Sequence, residues 1–85
     1  MTTLPTIHLN GTGAESLFYE YHDAWQALKK ARIALAETTC NARDFYPQGD
    51  EAWHQARFER AEALAKLDDA IGFAEAWVEH TNINH

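Results

Sequence analysis

The chain has 85 residues and a formal net charge of −6, and 46% of its residues are hydrophobic. This length allows one domain at most, and this apolar fraction argues against disorder of the whole chain. The negative charge disfavours binding of duplex nucleic acid through its phosphates, and it permits either simple solubility or attraction to a basic partner. A chain this short often needs a second copy or another protein to complete its core.

Cysteine usage and hydropathy indicate a reducing, aqueous environment. Cys40 is the only cysteine, so an intramolecular disulfide and a cysteine-based metal site are both excluded. The chain lacks a basic segment followed by an apolar run, and it lacks an apolar stretch long enough to span a membrane. We therefore expect no signal peptide, no membrane contact and a cytoplasmic location.

The first segment, residues 1–13, is expected to be an extended lead-in that either lies across the helices or frays. Pro5 disfavours helix within it. Thr12 and Glu15 have the spacing of a capping box, in which each side chain binds the backbone N–H of the other residue. A glycine-rich turn before a helix can also bind phosphate, but no lysine follows at the position that a phosphate-binding loop requires. We therefore favour capping.

A first long helix is predicted over residues 14–39. Apolar and small residues in this stretch recur at alternating steps of four and three, the heptad spacing of a helix that packs against another helix. These seam residues are Leu17, Tyr21, Ala24, Leu28, Ala31, Leu35 and Thr38. Phe18 and Trp25 lie beside the seam and widen the apolar face, as expected for a helix in a bundle.

A second long helix is predicted over residues 51–80, followed by a short tail at 81–85. Its apolar seam consists of Trp53, Leu64, Leu67, Ile71, Ala74 and Val78, with Ala63, Ala70 and Trp77 beside it. Arg57 and Arg60 occupy the same seam near the start of the helix. The apolar packing is therefore expected to weaken at this end.

A connector, residues 40–50, joins the two helices. Pro47 excludes continuation of the first helix and Gly49 permits a turn. Asp50 is expected to cap the second helix. Two long helices joined by so short a connector form an antiparallel hairpin.

The fold class predicted from these elements is all-α, and the hairpin is expected to be one half of a larger assembly. Two helices alone would leave large aromatic side chains exposed, namely Phe18, Trp25, Phe73 and Trp77. We therefore expect a homodimer with coiled-coil-like seams that forms a four-helix bundle. The three tryptophans are interpreted as core residues, with ligand stacking as the alternative.

Charge is unevenly distributed along this hairpin. All seven basic residues and six acidic residues fall between positions 29 and 66, a net charge of +1. The other seven acidic residues are Glu15, Glu20, Asp23, Asp68, Asp69, Glu75 and Glu79. Folding at the connector brings these outer parts together, so the end with the chain termini, the terminal pole, carries −7. The other end, the connector pole, holds every Lys and Arg.

The connector pole carries the candidate binding residues. These are Arg43, Asp44, Phe45, Tyr46, Arg57 and Arg60. Aromatic and arginine side chains supply much of the binding energy at protein interfaces, so we expect contact with a protein partner. Two other functions stay open: capture of an anionic nucleotide by the three arginines, and mimicry of nucleic acid by the acidic pole. In a purely structural interpretation the charges are a solvated surface, Phe45 and Tyr46 cover the end of the bundle, and Arg43 pairs with Asp44 or caps the first helix.

Patterns for catalysis and metal binding are weak. Ser16 is the only serine, and no Ser–His–Asp or Cys–His arrangement can be assigned. Glu51 and His54 have the Glu-x-x-His spacing of di-metal bundles, but the chain has no second such pair. We therefore expect a protein that is not an enzyme and that holds no metal and no cofactor.

Two short stretches carry a resemblance to known proteins. His8-Leu9-Asn10-Gly11-Thr12, followed by Leu17 and Tyr21, and then the run from Asn41 to Pro47 resemble a group of small helical proteins encoded by tailed phages and prophages. The group has no assigned activity, so the resemblance transfers no catalytic residue. It implies an accessory protein that binds a host protein in the host cytoplasm, as an anti-defence or host-modulating factor.

Overall fold

The computed structural model describes residues 2–6 and 13–82, and its regular elements are all helices. Helix α1 spans Ala14–Ala36, a 3₁₀ helix spans Ala42–Gln48 and helix α2 spans Asp50–Thr81. The two long helices pack against each other as a hairpin, and the described part of the chain contains no strand. The predicted all-α hairpin is therefore confirmed. The Thr12 cap and the tail beyond Asn82 lie outside the described residues.

Helix α1 ends at Ala36, three residues before the predicted end at Thr39. The Thr38 hydroxyl donates a hydrogen bond to the Leu35 carbonyl at 2.6 Å, and the Thr38 backbone N–H donates to the same carbonyl at 3.2 Å. β-Branched residues are poor helix formers, and a hydroxyl that binds nearby backbone competes with helical hydrogen bonds. Thr38 and Thr39 therefore end the helix early, and Thr38 lies beyond the seam.

The connector forms a 3₁₀ helix of seven residues with Pro47 inside it. The fixed φ of proline fits this conformation, and its missing N–H removes only one hydrogen bond from a short element. Gly49 follows with a φ of 94°, in the left-handed region that glycine adopts without steric cost. Asp50 is the first residue of α2 rather than its cap, because Gly49 is in the cap position. The Asp50 carboxylate still favours the positive end of the helix dipole.

The predicted seam of α1 is wrong at two positions within the helix, in addition to Thr38 beyond its end. A heptad row of buried and half-buried residues consists of Ala14, Phe18, Tyr21, Trp25, Leu28, Arg32 and Leu35. Ala24 and Ala31, both on the predicted seam, are exposed, and Trp25 and Arg32 replace them in this row. Trp25 gains more than an alanine from burial because it removes more apolar surface from water. Arg32 forms an ion pair with α2.

The facing side of α2 follows the predicted pattern, with one exception. Its buried and half-buried residues include Trp53, Ala56, Arg60, Ala63, Leu64, Leu67, Ala70, Ile71, Ala74, Trp77, Val78 and Thr81. Arg60 lies on this side as predicted, whereas Arg57 is exposed and Ala56 is half-buried in its place. Among these residues Arg60 is the only charged one, and its contacts are described below.

The most deeply buried residues lie together at the terminal pole. They are Ala14, Ala74, Val78 and Thr81. Thr81 is only 1% exposed, and its hydroxyl donates a hydrogen bond to the Trp77 carbonyl at 2.7 Å. The Trp77 ring stacks on Tyr21 of α1, with 4.3 Å between ring centroids and 12° between planes. Residues 2–6 reach the same pole, because the Pro5 carbonyl lies 2.6 Å from the ring nitrogen of His80.

The hairpin is thin and elongated. Its dimensions are 62 × 22 × 17 Å, and its radius of gyration is 18.5 Å. A compact domain of this length has a radius of gyration of about 12 Å. The accessible surface is 6506 Å², whereas a compact protein of this mass exposes about 5,100 Å². The excess of about 1,400 Å² is surface that a single layer of two helices cannot bury.

An ion pair between Arg32 and Asp68 fixes how the two helices align. The Arg32 Nε donates to Asp68 Oδ1 at 2.9 Å and Nη2 donates to Oδ2 at 3.3 Å. The two side chains are 35% and 55% exposed. This contact raises the pKa of Arg32 and lowers the pKa of Asp68, in both cases first through the hydrogen bond between the two groups. Because water screens an exposed pair, its main contribution is geometric.

The lowered pKa of Asp68 predicts how the stability of the fold depends on pH. The pair stabilises the folded state above the ordinary aspartate pKa of about 4, and this stabilisation is lost as the pH falls through the lowered value. Asp68→Asn should therefore lower the denaturation midpoint more at pH 6 than at pH 2. Urea titrations of both proteins at these pH values measure the difference. Asp69→Asn is the control, because Asp69 is exposed and forms no ion pair with a described residue. An Asp68→Asn effect of equal size at both pH values would contradict the prediction.

Candidate functional site

The six candidate residues lie on two adjacent elements. Arg43, Asp44, Phe45 and Tyr46 belong to the 3₁₀ helix, and Arg57 and Arg60 lie on α2. The 3₁₀ helix packs against α2 and not against α1. Residues 50–59 of α2 extend beyond the end of α1, since α2 meets that end at Arg60. The connector pole therefore consists of this extension of α2 and the 3₁₀ helix.

Arg60 holds the end of α1 in place. Its Nη2 donates hydrogen bonds to three carbonyls, at 2.7 Å to Ala36, 2.9 Å to Thr38 and 3.3 Å to Leu35. Its Nε lies 3.4 Å from the Thr38 hydroxyl oxygen. The last carbonyls of a helix have no partner within the helix and carry partial negative charge, so a guanidinium is well suited to them. Arg60, rather than Arg43, caps the first helix.

Arg57 has a separate role beside Trp53. Its guanidinium carbon lies 4.7 Å from the centroid of the Trp53 ring, a cation–π distance. The His54 ring is also close to Trp53, with 5.1 Å between centroids. These neighbours leave Trp53 half-buried although it lies beyond the end of α1.

Arg43, Asp44 and Tyr46 are exposed to solvent. Tyr46 is 85% exposed, the largest value among the exposed large apolar residues of the described chain. No described residue accepts a hydrogen bond from the Arg43 guanidinium or forms an ion pair with Asp44. Phe45 is half-buried, whereas Tyr46 beside it is exposed. The arrangement presents a cation, a carboxylate and a phenol from one short helix.

The contacts of the three arginines bear on which of the candidate ligands the connector pole could bind. The guanidinium of Arg60 is engaged with backbone carbonyls, so Arg43 and Arg57 are the connector-pole arginines with donors left for an anion. A nucleotide site built on three arginines is therefore disfavoured. A protein surface with complementary polar groups remains well matched, since exposed Arg and Tyr side chains are typical interface anchors.

The remaining chemistry of the chain does not form a second site. No three His, Cys, Asp or Glu side chains of the described residues form a group that could hold a metal ion. The indole N–H groups of Trp25, Trp53 and Trp77 are buried and have no acceptor among the described residues. A ligand could not reach these donors, which supports the interpretation of the tryptophans as packing residues. None of the described helices combines the length and hydropathy needed to cross a bilayer.

One feature of α1 was missed by sequence reasoning. Phe18, His22, Trp25 and Lys29 follow one another along the helix, at steps of four, three and four. The rings of Phe18 and His22 stack at 5.5 Å, and the Lys29 Nζ lies 3.5 Å from the Trp25 ring centroid. The regular spacing of aromatic and basic residues was the available signal.

The same substitution should have a large effect on stability at Arg60 and a small effect at Arg43, because only Arg60 binds backbone carbonyls of the described chain. Arg60→Met should destabilise the fold by about 1–3 kcal/mol, because charged hydrogen bonds to three carbonyls are lost. This corresponds to a decrease in Tm of roughly 5–15 °C for a chain of this size. Arg43→Met should change stability by less than about 0.5 kcal/mol. Thermal unfolding followed by circular dichroism measures both, and equal losses of stability would contradict the assignment of roles.

Comparison of the chain with protein-family models, curated proteins and solved structures gave no match. The comparisons therefore assign no family and no activity. The resemblance to phage-encoded proteins rests on the short stretches quoted above. The features that bear on function are therefore the geometry of the connector pole and the uncovered surface of the hairpin.

Proposed function

We propose that the protein is a non-enzymatic interaction protein that acts as a homodimer and binds a protein partner through its connector pole. The observation that carries this proposal is the exposed group of Arg43, Asp44 and Tyr46 on the 3₁₀ helix. Gly49 turns the chain between that helix and α2, and the Arg60 contacts fix the end of α1 from which the connector leaves. Exposed arginine and tyrosine side chains are types that often supply much of the binding energy at protein interfaces.

The dimer is supported by the area that the hairpin leaves uncovered. The excess surface of about 1,400 Å² per chain is within the range that each partner of a stable interface buries. Large apolar side chains remain exposed on both helices, among them Tyr19, Ile33, Phe58 and Phe73. Pairing of two hairpins into a four-helix bundle would cover part of this surface with helix–helix contacts.

The biological setting follows from the resemblance alone. A phage or prophage accessory protein of this kind would act in the cytoplasm of the host cell, and its partner would be a host protein. Modulation of the host or inhibition of a defence component is the corresponding role. The partner should present an acidic group to Arg43 and an apolar recess to Tyr46, because these are the chemically complementary surfaces.

Mimicry of nucleic acid is the second candidate function. The seven acidic residues of the terminal pole are all exposed, and only Asp68 among them pairs with an arginine or lysine of the described chain. Such a surface could attract a basic protein. A partner that binds here would depend on these carboxylates and not on Arg43, so variants separate the two candidates.

The dimer is tested by measuring the mass in solution. Light scattering after gel filtration should give twice the chain mass of 9.7 kDa at micromolar concentration. Elution volume alone is insufficient, because an elongated monomer also elutes early. A monomeric mass at concentrations up to about 100 μM would overturn the dimer.

Partner binding is tested with tagged protein in host lysate and with purified partner afterwards. Arg43→Ala and Tyr46→Ala should each weaken binding by about tenfold or more, as substitution of a hot-spot residue does. Lys30→Ala is the matched control, because Lys30 is exposed and lies on α1 away from the connector. If both connector variants recover the partner as well as the unsubstituted protein does, the connector pole is not the binding surface. Stabilisation by nucleotides in a melting assay, with no recovered protein, would favour the nucleotide alternative instead.

A further inference from the structure

Helix α1 carries a second heptad row that α2 covers only in part. The row consists of Leu17, Tyr21, Ala24, Leu28, Ala31 and Leu35. Ala24 and Ala31 are exposed, and the other four are only half-buried. Tyr21, Leu28 and Leu35 also belong to the row that faces α2, so the two rows overlap. A helix with two overlapping rows is built to contact two neighbouring helices, and the hairpin supplies one.

An aromatic contact joins this second heptad row to α2. The Tyr21 ring lies 4.3 Å from Trp77 and 6.4 Å from Phe73, measured between centroids. Phe73 is 49% exposed although it touches both of these rings. The exposed part of Phe73 therefore borders the row on α1, and together they form one apolar face, which we call the alanine face.

The occupant of the alanine face is best matched by a second copy of the chain. A helix whose apolar residues recur at alternating steps of four and three packs well against another helix with the same spacing, and α1 itself has that spacing. Exposed alanines allow the axes of two helices to approach closely. The excess surface of about 1,400 Å² is also sufficient for a stable dimer interface.

Charge decides how the two copies are oriented. The terminal pole carries −7 and the connector pole +1. A parallel arrangement would place two strongly acidic poles side by side, at a separation comparable to the Debye length. An antiparallel arrangement places each acidic pole beside the pole that holds every Lys and Arg.

We infer that two copies pair antiparallel through the alanine face, with α1 against α1 and each connector pole beside the terminal pole of its partner. This inference rests on the proposed dimer and specifies its surface and orientation. The two connector poles then lie at opposite ends of the bundle. Since each hairpin is 62 Å long, the dimer is a bivalent rod with two separate binding ends.

The surface is tested with a charge placed on an exposed alanine. Ala31→Glu should raise the dimer dissociation constant by at least tenfold, because a carboxylate would be buried in the interface. Ala65→Glu is the matched control, since Ala65 is exposed and lies on the side of α2 opposite its buried and half-buried residues. Helical content and Tm at concentrations where each variant is monomeric separate lost pairing from misfolding. Equal dimerisation of both variants would overturn the alanine face.

The orientation is tested by distance measurement between identical spin labels. Cys40→Ala with Gln48→Cys places one label on the exposed end of the 3₁₀ helix of each copy. An antiparallel dimer should give a distance of about 50 Å, and a parallel dimer should give about 20 Å. A dimeric mass with the short distance would overturn the orientation and leave the proposed dimer intact, whereas a monomeric mass would overturn both.

Discussion

The geometry of the connector pole depends on the contact between one guanidinium and the last carbonyls of α1. Arg60 lies in the first half of α2, and its hydrogen bonds reach Leu35, Ala36 and Thr38. They satisfy the open end of one helix with a side chain of the other, so the two helices are joined where apolar packing is weakest. The direction in which the chain leaves α1 is thereby set. The 3₁₀ helix that follows can then pack against α2 and expose Arg43 and Tyr46.

The thinness of the hairpin explains where its stability comes from. A layer of two helices buries one stripe of each, and most of the apolar residues here reach only partial burial. Full burial occurs at the terminal pole, where Tyr21 and Trp77 stack and the segment at residues 2–6 lies against the two helices. The stable end of the molecule is therefore also its acidic end. The proposed binding end is separated from it by the length of the hairpin.

Sequence reasoning predicted the helices, their order and the break between them, because heptad spacing and the Pro47 and Gly49 signals are local. It placed Ala24 and Ala31 on the wrong side of α1, because a row through Tyr21 and Leu28 can continue at a step of three or of four. Which step places a residue against α2 depends on the position of α2. The spacing of residues within α1 carries no information about that position. The role of Arg60 was equally inaccessible, since its acceptors are backbone carbonyls that every sequence possesses. The exposure of Arg43 follows from that same non-local contact.

The extension of α2 beyond α1 has a consequence for the dynamics of the molecule. Residues 50–59 have only the 3₁₀ helix beside them, whereas the rest of α2 has α1 along its length. Segments with few packed neighbours open at lower free energy than the remainder of a fold, so this stretch can unwind as a local unit. Arg60 marks the boundary of that unit, because its hydrogen bonds tie the first packed turn of α2 to α1. The connector pole can therefore adjust its shape to a partner while the stacked aromatic end stays folded.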